Sequence, residues 1–312
     1  MNSPLISFVV PAYNAGSTLR DCLDSICRLD MRGYGREIIV VNDGSTDNTP
    51  EILDVYGDGI MVITQENQGL SCARNAAIEA ARGRYLCFVD ADDMLLTDHF
   101  PLEILTDEVP DIVGFNIKSI DSNGNRKPYR RYRYNYGRTY LPASLFMKGR
   151  NLMPCAWAYM FRREMLTDAG LTFIPHIYHE DEDFTPRAFA AAASFVAVNV
   201  DFYGYRTSEN SITNTSDRQK QEWKLRDLVG ILRGLQRTAM ADERFSECTR
   251  YKLDYLTVDI LRLLLRMKHS QKFRNEIVTS LEEMGFFPLH WHWNVKHIGF
   301  NILTRYLFRK KQ

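Results

Sequence analysis

Four short apolar runs before residue 90, each set off from the next by a segment with helical spacing, leave this chain few ways to fold. Ile6-Ser7-Phe8-Val9-Val10, Glu37-Ile38-Ile39-Val40-Val41, Ile60-Met61-Val62-Ile63 and Tyr85-Leu86-Cys87-Phe88-Val89 are nearly continuous in apolar character. That pattern marks strands covered on both faces. Between the first two, Leu19, Cys22, Leu23 and Ile26 fall on one helical face. Thr49-Pro50-Glu51 reads as a helix start, with a hydroxyl cap and proline at the first helical position. Ser71 to Arg82 is alanine-rich and predicts a third helix stopped by Gly83. Strand and helix in alternation build β-α-β units, hence a mostly parallel sheet flanked by helices. In such sheets ligands gather at the carboxyl ends of the strands, so the residues just after each run are where chemistry is expected.

The rest of the chain is less regular. Asp111 to Ile117 and Phe195 to Val200 read as strands, and Asn123-Gly124 as a hairpin turn. Beyond about residue 217, Leu253, Leu256, Ile260, Leu264 and Met267 recur at helical spacing. The expectation is an α/β domain over residues 1–216 and a carboxyl-terminal helical region over 217–312, which 312 residues suffice to build. Lysine plus arginine number 39 and so do aspartate plus glutamate, so no global field draws nucleic acid or an acidic surface. The six cysteines form no C-x-x-C pair and read as buried small hydrophobes in a reducing compartment. No signal-peptide pattern opens the chain, and no apolar run reaches the roughly 18 residues of a spanning helix. A cytoplasmic protein, at most peripheral on a membrane face, is expected.

Three polar clusters follow predicted strands. Asp90-Ala91-Asp92-Asp93 crowds carboxylates that a magnesium or manganese ion would relieve, although a solvated turn with a helix cap has the same composition. Asn42-Asp43-Gly44-Ser45-Thr46-Asp47 places a carboxylate beside a glycine that permits close backbone approach. Asp43 is placed to accept a hydrogen bond from a base or ribose, or the segment is an ordinary strand-to-helix turn. Asn67-Gln68-Gly69-Leu70-Ser71-Cys72-Ala73-Arg74-Asn75 sets amides and an arginine at a helix start suited to an anion, or to a cap and an ion pair.

These strings, with Val9-Val10-Pro11-Ala12-Tyr13-Asn14, resemble family 2 glycosyltransferases of the GT-A fold, a Rossmann-like α/β architecture. The resemblance is close over residues 4 to 98 and looser to about 215. It implies that Pro11, Ala12 and Tyr13 line a nucleotide pocket, that Asp43 contacts the base, and that Arg74 lies near base or phosphates. Asp90-Ala91-Asp92 would be the D-x-D element, with Asp92 on the metal and Asp90 nearer the ribose. Asn42 departs from the aspartate common there. The acidic string His179-Glu180-Asp181-Glu182-Asp183-Phe184 reads by composition as an exposed helix start. The resemblance makes Asp181 the catalytic base, with Glu180 the alternative. Direct displacement at an anomeric carbon needs one such base.

Tyr203-Gly204-Tyr205-Arg206 and Ser211-Ile212-Thr213 resemble segments of bacterial surface-polysaccharide members, in which Arg206 would neutralise phosphate and Tyr205 stack on a sugar. The Q-x-x-R-W string of processive synthases is missing, which predicts addition of one sugar per encounter. The expected enzyme is an inverting glycosyltransferase using a nucleotide-sugar donor, a UDP-sugar first, with manganese or magnesium, and a glycan or lipid-linked acceptor. Arg126 to Tyr134 interleaves basic and aromatic residues, either as a solvated hairpin or as an acceptor contact. Trp291, Trp293, Val295, Ile298, Ile302 and Tyr306, beside Arg305, Arg309, Lys310 and Lys311, suit an interfacial helix on anionic lipid. The same stripe serves a helix docked on its own domain or on a partner subunit of a homodimer. Two enzymatic rivals lack their marks. A nucleotidyltransferase would carry a basic glycine-rich loop where Asn14-Ala15-Gly16-Ser17 stands, and no G-x-G-x-x-G follows a strand as a dehydrogenase requires. A nucleotide-sugar-binding protein that has lost its base is the non-enzymatic rival.

Overall fold

The computed structural model describes residues 3–121, 124–129, 134, 136–150, 152–207, 217–266 and 269–289. The chain divides into two compact units, Met1–Phe146 with Leu152–Ser211, and Met147–Asn151 with Ile212–Gln312.

The first unit is built on one mixed sheet. Strands β1 (Ile6–Ala12), β2 (Arg36–Asp43), β3 (Met61–Gln65) and β4 (Tyr85–Phe88) are the four apolar runs. They pair in parallel in the order β3-β2-β1-β4. Helices α1 (Leu19–Arg28), α2 (Thr49–Tyr56) and α3 (Leu70–Ala80) make the crossovers. The register joins Ala12 to Asn42 and Asp43 to Gln65, so the loops after β1, β2 and β3 share one edge. A fifth strand, β5 (Met94–Leu95), follows the acidic turn. Beyond it lie β6 (Ile112–Ile120), β7 (Arg126–Pro128), β8 (Tyr159–Arg162), α4 (Arg163–Asp168), α5 (Glu180–Ala191) and β9 (Phe195–Arg206). Here β8 runs antiparallel between β4 and β6, β9 runs parallel to β6, and β5 closes on β9.

Several boundaries differ from the sequence reading, each for a local reason. Thr49 is not the cap of α2: its hydroxyl donates to Asp47 (2.6 Å) and accepts from the Ala15 amide (2.9 Å), tying the helix to the loop after β1. Helix α3 ends at Ala80, before Gly83. That glycine is required by β1, because a Cβ there would stand 2.5 Å from Ser7 N. Strand β9 runs on past Val200 to Arg206, its half-exposed stretch 198–201 carrying Asn199 and Asp201. Of the predicted Asn123-Gly124 turn, Gly124 is described, at φ +78°, and its amide donates to the Asp121 carbonyl. All six cysteines are free thiols. Cys22, Cys87 and Cys248 are buried, but Cys27 is exposed, against expectation.

The second unit contains α6 (Arg218–Ala241), α7 (Glu243–Arg266) and α8 (Gln271–Glu283). Asp217, Asp242 and Ser270 accept amide hydrogens at the three helix starts, as caps do. Leu228, Leu232 and Leu235 of α6 are buried, as are Leu256, Ile260 and Leu264 of α7. Among the described residues no helix is long and apolar enough to cross a membrane. Met267, Ser211-Ile212-Thr213 and the aromatic and basic stripe from Trp291 to Lys311 lie outside the described residues, as do positions 130–133 of the basic-aromatic run.

Candidate active site

The loops after β1 and β2 are sewn together by side-chain oxygens. Asn14 Oδ1 accepts the Thr46 amide (2.8 Å), Ser45 Oγ accepts the Asn14 amide (3.0 Å), and Asp47 Oδ2 accepts the Gly16 amide (2.9 Å). Asn42 Oδ1 accepts the Ser45 amide (3.1 Å) and shapes the same turn. Pro11 and Ala12 are buried in β1, whereas Tyr13 is 54% exposed and carries its ring to the lip. Asp43 is buried and accepts from Gln65 Nε2 (2.7 Å), the Gln68 amide (2.9 Å) and the Gly69 amide (2.8 Å). It therefore fixes the β3–α3 loop, a task the sequence reading did not assign to it. Gly44 sits at φ +73° because a Cβ would meet Asn67 N at 2.8 Å.

Asp90, Asp92 and Asp93 follow β4, and their carboxylate oxygens lie within 4.8 Å of one another. The three are not equivalent. Asp93 is buried and both its oxygens are engaged, Oδ2 by the Tyr203 hydroxyl (2.7 Å) and Oδ1 by the Arg206 amide (2.7 Å). Tyr203 Oη also accepts the Asp90 amide (3.1 Å), so one hydroxyl spans both ends of the turn. Asp92 is exposed, and among the described residues it has no side-chain partner. Desolvation, then repulsion from Asp90, holds the Asp92 carboxyl above the usual carboxylate range. Burial, then Asp90 and Asp92, raises Asp93 further. Crowded hard oxygens that resist ionising together are a donor set that suits a magnesium or manganese ion. Asp92 and the free oxygen of Asp90 are the groups open to it.

Arg74 links this turn to the second acidic string. Its side chain is 1% exposed, and its guanidinium donates to Asp90 Oδ1 (2.9 Å), Glu180 Oε1 (2.8 Å) and Asp181 Oδ1 (3.1 Å). The guanidinium carbon stands 5.2 Å from the centre of the Phe173 ring, which stacks on Phe184 at 3.9 Å. Burial alone would lower the Arg74 pKa, but Asp181, Asp90 and Glu180 outweigh it and hold the charge. Both terminal nitrogens of Arg74 are occupied by carboxylates, one of them Asp90 of the acidic turn. Glu180 and Asp181 form the first turn of α5, where helix dipoles favour negative charge. His179 precedes them at φ +63°, a left-handed backbone that turns the chain into the helix. Burial pushes the Asp181 carboxyl up to about 8; Arg74 opposes this, Glu180 and Asp90 add to it, and the Ala156 amide opposes it.

Residues 7–168 match the family model for glycosyl transferase family 2, which is more than half of the chain. The chain belongs to glycosyltransferase family 2. Relatives in this family include the uncharacterized glycosyltransferase EpsJ of Bacillus subtilis, 34% identical over 223 residues. That match covers 67% of this chain but only 63% of EpsJ. Among solved structures, S. aureus TarS 1-349 in complex with UDP-GlcNAc superposes with a TM-score of 0.62 at 19% identity, over 89% of this chain and 88% of that 1-349 fragment. Mannosyltransferase PcManGT from Pyrobaculum calidifontis, in complex with GDP-Man and Mn2+, gives 0.57 at 16% identity, over 100% and 82%. These likenesses establish the GT-A fold for this family 2 chain.

Two further predicted residues are placed differently from each other. Arg206 supplies its amide to Asp93 while its guanidinium reaches Asp21 (2.8 Å) and stays 27% exposed, near the acidic turn. Tyr205 stacks on Trp157 (5.6 Å, 13°) and meets Tyr129 edge-on (5.8 Å), so protein rings already occupy a face expected to meet a sugar. Trp157 also stacks on Tyr203 at 4.7 Å. Neither Trp157 nor the Tyr203 hydroxyl was singled out from sequence. The two-residue spacing of Tyr203 and Tyr205 on one strand face was the available signal.

Proposed function

We propose that this chain is an inverting, metal-dependent glycosyltransferase that moves one sugar per encounter from a nucleotide-diphosphate donor, a UDP-sugar, to a glycan or lipid-linked acceptor in cell-surface polysaccharide synthesis. One observation carries the reading: a single buried guanidinium holds the turn Asp90-Ala91-Asp92 and the carboxylates of Glu180 and Asp181 together. A donor-phosphate site and a proton acceptor are thereby kept in fixed relation, which displacement at an anomeric carbon requires. Asp181 takes the proton of the acceptor hydroxyl, and its elevated pKa suits exchange near neutral pH. Glu180 and Arg74 position it. Asp92 and Asp90 would hold the divalent ion, which when bound supplies charge to offset the departing diphosphate. Pro11, Ala12, Tyr13 and Asp43 form the nucleotide wall, with Ala91 between the two aspartates and Arg206 beside the phosphates.

Residues 1–216 form the transferase domain in this reading, and 217–312 a helical region. Support for the donor class comes from the solved relatives in complex with UDP-GlcNAc, or with GDP-Man and Mn2+. The surface-polysaccharide role rests on the Tyr203–Arg206 string, and single addition on the missing Q-x-x-R-W. We place the enzyme in the cytoplasm, at most peripheral on the inner face of the membrane. Thermal unfolding with a panel of nucleotide sugars, with and without manganese, tests the reading. At a hundredfold excess over its Kd the right donor raises the midpoint by roughly 5–10 °C, in the presence of metal only. No shift from any donor would refute it.

A further inference from the structure

The amino-terminal edge of the sheet, opposite the acidic turn, carries a second charged concavity. Arg82, Arg84, Arg162 and Arg163 line a groove of about 500 Å3 in which Glu164 is the one lining carboxylate. In a chain of 39 basic and 39 acidic side chains, that is a local excess of positive charge.

The backbone beneath the groove is closely tied down. Gly83 presses against β1, its amide donating to Ser7 Oγ (2.8 Å), and Ser7 Oγ donates to Glu37 Oε2 (2.6 Å). The same Glu37 oxygen accepts the Arg82 amide (2.9 Å). The Arg84 amide donates to the Pro4 carbonyl (3.0 Å), and the Arg84 carbonyl accepts the Arg163 amide (2.9 Å). Arg162 is neutralised, by Asp111 (2.6 Å) and Glu164 (2.6 Å). Arg163 donates Nε to the Gly83 carbonyl (3.0 Å). Among the described residues, the guanidinium groups of Arg82 and Arg84 have no acceptor. The turn thus carries unspent guanidinium donors on a backbone that is itself tied down.

We propose that this groove is a second binding site, for a phosphate-bearing anion. Guanidinium forks pair with phosphate oxygens through two parallel hydrogen bonds, and the tied backbone keeps the Cα positions of Arg82 and Arg84 on one side of the groove. A groove of this volume is larger than one phosphate requires and admits a diphosphate or a lipid headgroup. Its residues are distinct from those of the donor site at the other strand edge.

The test uses the full chain and the double variant Arg82→Gln/Arg84→Gln. Both side chains are exposed, so the variant keeps the fold, and an unchanged unfolding midpoint verifies this. Pyrophosphate is titrated calorimetrically in metal-free buffer, and co-sedimentation is measured with phosphatidylglycerol vesicles and with neutral phosphatidylcholine vesicles. The wild type binds pyrophosphate or the anionic vesicles, and the double variant binds at least roughly tenfold more weakly. Pyrophosphate binding that the double variant loses identifies a soluble ligand, and anionic-vesicle binding that the double variant loses, without pyrophosphate binding, identifies a headgroup. Metal-dependent UDP-sugar binding stays unchanged in the variant, which separates this site from the donor site. The proposal is overturned if the wild type binds neither probe, or if the double variant binds as tightly as the wild type.

Discussion

Replacing Arg74 by methionine should be among the most damaging single changes in the first unit. Its guanidinium is 1% exposed and pairs with Glu180 and Asp181, which are 12% and 16% exposed, and with Asp90 at 25%. Surface pairs contribute about 0–1 kcal/mol, but removing one partner of a buried pair costs about 3–5 kcal/mol because a charge is left uncompensated. Methionine refills part of the stem volume and none of the charge. With roughly 2–4 °C per kcal/mol for a unit of this size, the unfolding midpoint should fall by roughly 6–20 °C. The sign of the pH effect follows from Asp181. Its carboxyl already stands at about 8 with the guanidinium opposing the rise, so without Arg74 it rises further. The folded variant then penalises the ionised form more than the unfolded chain does, and protonation relieves the penalty. Below about pH 8 Asp181 is protonated in both folded proteins and contributes nothing to their difference, so the deficit should be flat from about pH 6 to about pH 8 and grow from about pH 8 to about pH 10. Converting both carboxyls to amides in Arg74→Met/Glu180→Gln/Asp181→Asn should recover part of the lost stability. Differential scanning calorimetry of the three proteins at these pH values checks this. A midpoint within about 2 °C of wild type, or a deficit that does not depend on pH, would refute the guanidinium as the keystone of the site.

Other consequences are open to direct measurement. If Asp181 is the base, transfer should climb about tenfold per pH unit on the acidic side and level off above about pH 8; a flat profile across that range would remove it from the role. Tyr203→Phe deletes the hydroxyl shared by Asp90 and Asp93, so manganese should bind roughly tenfold more weakly by calorimetry, and the buried Asp93 oxygen left without its donor should cost about 1–3 kcal/mol of stability. Asp92→Asn should abolish the metal-dependent part of donor stabilisation in thermal unfolding, and retention of that part would assign the ion elsewhere. Gly44→Ala places a Cβ 2.8 Å from Asn67 N at φ +73° and should cost at least about 1 kcal/mol in denaturant unfolding.

The parallel half of the sheet was readable because its strands are buried on both faces, so Ile6–Val10 and Tyr85–Val89 stand out as unbroken apolar runs. Strand β8 did not stand out. Tyr159–Arg162 is four residues long, follows a 3-10 turn at Ala156–Ala158, and owes its place to pairing with β4 and β6, which no local pattern encodes. The end of β9 was missed for a related reason, since Asn199 and Asp201 interrupt the apolar run on its open face. At the site, both acidic strings were legible as clusters of one residue type. Their connection was not, because Arg74 and Glu180 are 106 positions apart and an arginine at a helix start reads equally as an anion ligand. The difference between Asp93, buried and hydrogen-bonded, and the exposed Asp92 depends on a tyrosine 110 positions from Asp93.

Asp181→Asn tests the central claim most directly. The amide keeps the shape of the side chain, and Arg74 retains Glu180 and Asp90, so the site stays assembled. With the donor identified by thermal shift, sugar transfer by the variant should drop roughly 100- to 10,000-fold while metal-dependent donor affinity is unchanged. Transfer at the wild-type rate would contradict the account, and so would loss of donor binding together with transfer.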